Sequence, residues 1–175
     1  MKSKSFVLWL TGLPCSGKTT LAEGLKKELL KYNINVVVLD GDEFRKSVSP
    51  DLGYSKKDRD LNVRRAGYIA KFLSDKGICT VCAFVSPYCN TRRRIRKEVD
   101  NFIEVYVKAS ADICRKRDVK GLWEKAQKGK IKGFTGYDDP YEEPTKPEVI
   151  CDSESNNPDQ NIEKVVRFLS SKNFL

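Results

Sequence analysis

Two rhythms of apolar residues alternate along this chain. Nearly unbroken apolar runs stand at Phe6–Thr11, Ile34–Asp40, Ile78–Val85, Phe102–Val107 and Glu148–Asp152. Between them lie longer stretches with a helical period. In Lys18–Lys31, residues Leu21, Leu25 and Leu29 recur every four positions, on one face of a helix. Ser55–Gly77 opens on a capping serine and closes on a glycine, the punctuation of a second helix. Further helices are predicted at Ala111–Arg117, Leu122–Lys128 and Asp159–Ser171, and in the basic stretch after Pro87. Continuous apolar strands that alternate with helices predict an α/β fold, a parallel sheet covered on both faces.

Length and composition narrow the picture. A chain of 175 residues suits one domain with a real core. At 39% hydrophobic and 33% charged it reads as an ordinary globular protein. No apolar run approaches the ~20 residues of a membrane span. Lys2 and Lys4 before the first apolar run resemble the start of a signal peptide, but the run feeds a glycine loop, which suits a buried first strand. The expected compartment is the cytoplasm. Cys79 and Cys82 form a C-x-x-C, yet there is no second pair at metal spacing and no histidine, so buried reduced thiols are expected. Cys15 is expected to be more exposed and open to oxidation.

Net charge is +9, which suits nucleic acid or small polyanions such as nucleotides. The densest basic run is "TRRRIRKEV", Thr91–Val99, in which Ile95 and Val99 mark one apolar face. It reads as a solvated helix face without a nucleic-acid signature. Lys130–Glu148 differs in kind: it is rich in Gly, Pro and charge, with Phe134, Tyr137 and Tyr141 interleaved, and reads as a lid or binding loop.

The chemistry starts at Gly12-Leu13-Pro14-Cys15-Ser16-Gly17-Lys18-Thr19, a match to G-x-x-x-x-G-K-[ST] placed between a strand and a helix. Backbone N–H groups and the helix's positive end hold phosphate oxygens there. Lys18 reaches the β- and γ-phosphates, and Thr19 offers its hydroxyl to Mg²⁺. No guanine-reading element is visible, so ATP is the expected donor. The short chain and lid favour a small-molecule kinase over a motor or switch.

"LDGDEFR", Leu39–Arg45, closes the second strand. Strand C-terminal ends face the ligand crevice in open α/β sheets, so Asp40 and Asp42 are expected beside the phosphate loop. Either carboxylate can take a proton from an attacking hydroxyl or help hold Mg²⁺; alternatively the aspartates merely cap the next helix. Arg45 suits an acceptor anion. Arg59, Asn62, Arg64 and Arg65 place polar groups on one helix face, where Arg forks suit phosphate or sulfate and Asn a base or ribose. Ser86 ends the third strand, either touching the acceptor or simply starting a helix.

Together these segments resemble the adenylylsulfate kinase (APS kinase) family. The resemblance rests on "GLPCSGKTTLA", "LDGDEFR", "DLGYSKKDRDLNVRRAGYIAKFLSDKG", "AFVSPY" and "RDVKGLWEKAQKGKIKGFTGYDDPYEEP", from about Phe6 to Asp152. It implies a P-loop kinase-like fold over 1–175 with a lid at about 120–147. The implied reaction is Mg²⁺-dependent transfer of the γ-phosphoryl of ATP to the ribose 3′-hydroxyl of adenosine 5′-phosphosulfate (APS), giving PAPS and ADP, in a homodimer that engages neither nucleic acid nor membrane. Residue by residue, Gly12, Leu13, Pro14, Cys15, Ser16, Gly17, Lys18, Thr19 and Thr20 would hold ATP, with Thr19 and Asp42 toward the metal. Asp42 would be the general base, with Asp40 the nearby alternative. Asp42, Glu43, Phe44, Arg45, Tyr54, Arg59, Asn62, Val85 and Ser86 would line the APS site. Lys120, Gly133 and Phe134 would close over nucleotide, Phe134 suiting adenine stacking. The resemblance also carries a phosphoserine role for Ser86, although in-line transfer needs only positioning and charge neutralisation. Tyr54, Glu43, Leu61, Lys108 and Trp123 depart from residues usual in the family; none is a phosphate-loop, D-G-D or lid glycine position.

Two other readings stand beside this one. One is a different small-molecule kinase, such as a nucleoside or sugar kinase. The other is a nucleotide-binding module without catalysis.

Overall fold

A computed structural model describes residues 5–175, so Lys2 and Lys4, and the signal-peptide question they raised, lie outside the described residues. In chain order the elements are β1 (Val7–Thr11), α1 (Lys18–Lys31), β2 (Val36–Asp40), α2 (Gly41–Ser47), α3 (Lys56–Asp75) and β3 (Cys79–Ala83). There follow α4 (Cys89–Glu98), β4 (Phe102–Lys108), α5 (Ala111–Arg117), α6 (Leu122–Gln127), β5 (Val149–Asp152) and α7 (Pro158–Ser171).

The strands form one parallel sheet in the order β2-β3-β1-β4-β5. Side chains alternate across each strand, so β1 feeds two cores. Phe6, Leu8 and Leu10 pack with Leu21, Leu25 and Leu29 of α1 and Val165 and Leu169 of α7. Val7 and Trp9 pack with Val63, Ala66 and Ala70 of α3 and Ile95 of α4. The four-residue leucine period is thus the buried stripe of α1. Ser55 caps α3 as expected, its side chain accepting from the Asp58 N–H. A third, smaller cluster joins Cys114, Trp123, Ala126 and Phe134 beneath the lid.

The chain after β2 forms the seven-residue helix α2 with Asp40 as its N-cap, so one of the two aspartates does cap the next helix. One expectation needs correction. The basic run forms α4, but its face is only partly solvated. Arg92 is 2% exposed and pairs with Glu104 at 2.7 Å. Arg96 bridges Glu104 at 3.2 Å and Glu148 at 2.6 Å. The cause is Glu104, a carboxylate in the middle of the apolar strand β4, because a buried charge requires a partner.

Candidate active site

A cavity of about 700 Å³ opens at the C-terminal ends of β1, β2 and β3, where the sheet's strand order places ligand crevices. The phosphate loop forms one wall. A Cβ on Gly12 would stand 2.4 Å from the Val107 carbonyl oxygen and 2.7 Å from Ser16 Oγ, so only glycine lets the loop lie this close to β4. Gly17 takes φ +98 and caps α1 without a side-chain bond, leaving that helix's first N–H groups to a ligand. Lys18 folds back into the loop: its Nζ donates to the carbonyls of Gly12 (2.9 Å) and Leu13 (2.7 Å). Burial lowers its pKa to about 8, against the pull of Asp42 and Asp40. Cys15 is half-buried and, as expected, more exposed than Cys79 and Cys82; burial and the Asp118 carboxylate push its thiol up, which lowers its thiolate fraction. Cys79 and Cys82 are buried and free, in β3.

The two aspartates that the sequence left interchangeable differ in space. Asp40 Oδ2 accepts from the Thr19 hydroxyl at 2.8 Å, and Oδ1 from the N–H groups of Asp42 (3.0 Å) and Glu43 (3.4 Å). Asp40 therefore ties α1 to α2. Asp42 stands one step further out, 65% exposed, and pairs with Lys120 from the lid side. Both line the same cavity as Lys18.

The opposite wall carries Arg45, Tyr54, Arg59, Asn62, Val85 and Ser86. Ser86 holds φ +40, a left-handed conformation that costs a non-glycine residue about 1–3 kcal/mol. Its Oγ accepts from the Trp9 indole N–H at 3.1 Å. Asn62 is buried and its Oδ1 has no partner among the described residues, as expected of a group awaiting a ligand. The Arg45 guanidinium stacks over Tyr54, 4.6 Å from the ring centre.

Other assignments shift. Arg59 is committed to the lid: Nε donates to the Tyr54 carbonyl at 2.8 Å, and its two amino groups reach Thr135 Oγ1 and the Gly133 carbonyl. Arg65 forks onto Asp51 at 2.6 and 2.8 Å, and Arg64 lies on an outer face of α3 with Lys56 and Lys57, so neither lines the cavity. Glu43, Phe44 and Gly133 do not line it either, and of the phosphate loop Gly12, Leu13 and Ser16 do not. Phe44 points into the core, edge-on to Phe84 at 5.4 Å, because a seven-residue helix turns successive side chains to different faces. Phe134 does line the cavity, edge-on to Trp123 at 5.1 Å, and the Trp123 indole N–H reaches the Pro14 carbonyl at 3.3 Å. Lid and phosphate loop thus share one small core.

The phosphate loop, the facing carboxylates and the aromatic lid thus surround one crevice. The sequence profile described as Adenylylsulphate kinase matches residues 4–152. The chain belongs to the adenylylsulphate kinase family. The adenylyl-sulfate kinase of Oceanobacillus iheyensis is 44% identical over 174 residues, 98% of this chain and 87% of that protein. The adenylyl-sulfate kinase of a Synechococcus strain is 43% identical over 175 residues, 100% of this chain and 99% of that one. The solved Mycobacterium tuberculosis APS kinase in complex with AMPPNP and APS superposes with a TM-score of 0.91 at 35% identity, covering 95% of this chain and 98% of that chain.

In this family member the cavity runs further than the motifs alone indicated. Beyond the phosphate loop it is lined by Arg117, Ser153, Asn156, Pro158 and Asn161. Arg117 donates to the Ser153 carbonyl at 2.5 Å, and Ser153 Oγ donates to the Ser16 carbonyl at 2.8 Å, so the segment after β5 buttresses the loop. The signal for these residues was their place after a strand's C-terminal end, but using it requires knowing that β5 lies beside β4.

Proposed function

We propose that this chain is an ATP-dependent adenylylsulfate kinase: it transfers the γ-phosphoryl of ATP to the ribose 3′-hydroxyl of APS and releases PAPS and ADP. The observation that carries this reading is that Lys18 and Asp42 face one cavity from two walls, with Asn62 and Ser86 on the acceptor side. In this reading the 3′-oxygen attacks the γ-phosphorus, the bond to the ADP oxygen breaks, and Asp42 takes the hydroxyl proton. Lys18 leaves its loop carbonyls for the phosphates, and Lys120 releases Asp42. Asp40 keeps Thr19 and α2 in register. Phe134 covers the nucleotide.

The donor set suits Mg²⁺. A threonine hydroxyl and one or two carboxylates are hard oxygen ligands, which Mg²⁺ combines with substrate phosphates rather than a full protein cage. Among the described residues no cluster of three His, Cys, Asp or Glu could hold a metal alone. When bound, the ion neutralises phosphate charge, and Thr19 and Asp42 are the residues that would hold it. We read 1–175 as one domain with its lid at about 120–147, working as a cytoplasmic homodimer. Among the described residues no helix is long and apolar enough to cross a membrane.

The test is ADP release in a coupled assay with ATP, Mg²⁺ and APS, run against nucleoside and sugar acceptors. Turnover with APS alone is expected. Asp42→Ala is expected to lose nearly all transfer while still binding ATP. Near-normal turnover in that variant would overturn the base assignment, and absence of APS-dependent ADP from the native chain would overturn the function.

A further inference from the structure

The functional reading makes no use of the basic run, yet its buried member sits directly beneath the acceptor wall. We propose that Arg92 is a positioning residue for phosphoryl transfer: its guanidinium locks the Ser86 elbow to the returning limb of the lid. This rests on the functional reading above and deepens it.

The geometry is specific. Arg92 is buried, and its three nitrogens reach three different parts of the fold. Nε donates to Glu104 Oε1 on β4 at 2.7 Å. One amino group donates to the Ser86 carbonyl at 2.6 Å. The other donates to the Glu142 carbonyl at 2.7 Å and contacts Cys89 Sγ at 3.1 Å. Ser86 is the strained residue at φ +40, so its carbonyl faces where an ordinary strand end would not send it. Glu142 belongs to the chain returning from the lid.

Other bonds stitch the same seam. The Glu142 N–H donates to the Pro87 carbonyl at 2.8 Å, and the Cys89 N–H to Glu142 Oε2 at 2.6 Å. The Tyr141 hydroxyl lies 3.0 Å from Thr11 Oγ1, whose own proton goes to the Val85 carbonyl at 2.8 Å. The lid's returning limb therefore lies on the elbow, while its middle is held by Arg59 from α3. Only a planar fork satisfies three acceptors at fixed angles; an ammonium on a flexible stem cannot. A shift of about 1 Å in the elbow is enough to damage transfer through misplacement of the acceptor.

The test compares native protein with Arg92→Lys, which keeps the charge opposite Glu104 and loses the fork. The KM for APS is expected to rise at least about tenfold, with the KM for ATP within about twofold, a split that general loosening would not give. A second readout uses the two tryptophans of the chain. Trp123→Phe leaves Trp9 alone, and its indole bonds Ser86 Oγ. In that background Arg92→Lys is expected to shift Trp9 emission as the elbow relaxes. Unchanged APS KM and unchanged Trp9 emission in folded Arg92→Lys protein would overturn the proposal, as would equal rises in both KM values alongside a lowered Tm. Should Arg92→Lys fail to fold, Arg92→Met with Glu104→Met removes both buried charges together, leaves Arg96 its Glu148 partner, and is read by the same two measurements. A native chain that releases no ADP with APS sinks the functional reading and this role with it. A native chain that does so, beside a silent Arg92→Lys, sinks the positioning role alone.

Discussion

The phosphate loop and the lid enclose the same cavity, but they are held in opposite ways. In the loop, Lys18 bonds carbonyls five and six residues behind it, and Gly17 starts a helix whose first turn does the rest. In the lid, Lys120 reaches Asp42 across 78 residues, Arg59 reaches Thr135 across 76, and Arg92 reaches Glu142 across 50. The lysine and helix start of the donor wall are thus set mainly by short-range bonds, with Trp123 and Ser153 buttressing the loop from further along the chain. The acceptor wall exists only when distant segments meet. Damage to the first is expected to fall on the chemical step, and damage to the second on acceptor affinity.

Lys18→Ala is the strongest way to break that contrast. In the proposed function it removes the side chain that would meet the transferring phosphate, and a lost donor to developing charge costs about 10²–10³ in kcat. The fold is expected to persist, since the variant deletes a buried charge and leaves the loop glycines in place. A kcat within tenfold of native, measured with saturating APS, would show that the loop is not where the chemistry is set.

Arg59→Lys probes the other wall with a smaller effect. It keeps a positive charge for a bound anion but loses the fork on Thr135 and the Gly133 carbonyl. The lysine ammonium can keep one of these two bonds, and the other is worth about 1 kcal/mol, so a rise of about fivefold in KM for APS is expected, with kcat nearly unchanged. A fall in kcat without a change in KM would erase the distinction between the walls.

The same contrast explains what could be read in advance. The α1 stripe, the Ser55 cap, the phosphate loop and the acidic turn each depend on residues within a few positions of one another, and each lies where its pattern placed it. Roles that depend on pairing across the sheet were hidden. "TRRRIRKEV" looks solvated until Glu104 is known to lie beside Arg92. Arg59 looks like a free anion binder until the lid is known to reach it. Asp40 and Asp42 look equivalent until Thr19 is seen to claim one and Lys120 the other. The resemblance carries Phe44 to the acceptor site, and the rotation of α2 sends it to the core. Arg117 and Asn156 required the strand order.

The smallest expected effect is a proton, and it belongs to the local wall. Burial lowers the Lys18 pKa to about 8, against an ordinary value of 10.5. Below about pH 8 both folded and unfolded chains carry the proton, and the cost of burying the charge is fully present. Between about 8 and 10.5 the unfolded chain binds more protons than the folded one, so this lysine's contribution to stability improves as pH rises. Phosphates in the loop reverse the balance, because they favour the charged ammonium. Nucleotide binding at pH 8.5 is therefore expected to take up a fraction of one proton, and affinity is expected to weaken as pH climbs past 8. Calorimetric titration with a non-hydrolysable ATP analogue in two buffers of different ionisation heat reads this directly. The heats should differ at pH 8.5, converge at pH 6.5, and agree at both values in Lys18→Met. Equal heats at pH 8.5 in the native protein would mean that Lys18 is already free of its carbonyls before nucleotide arrives, and that the loop is less self-contained than its short-range bonds imply.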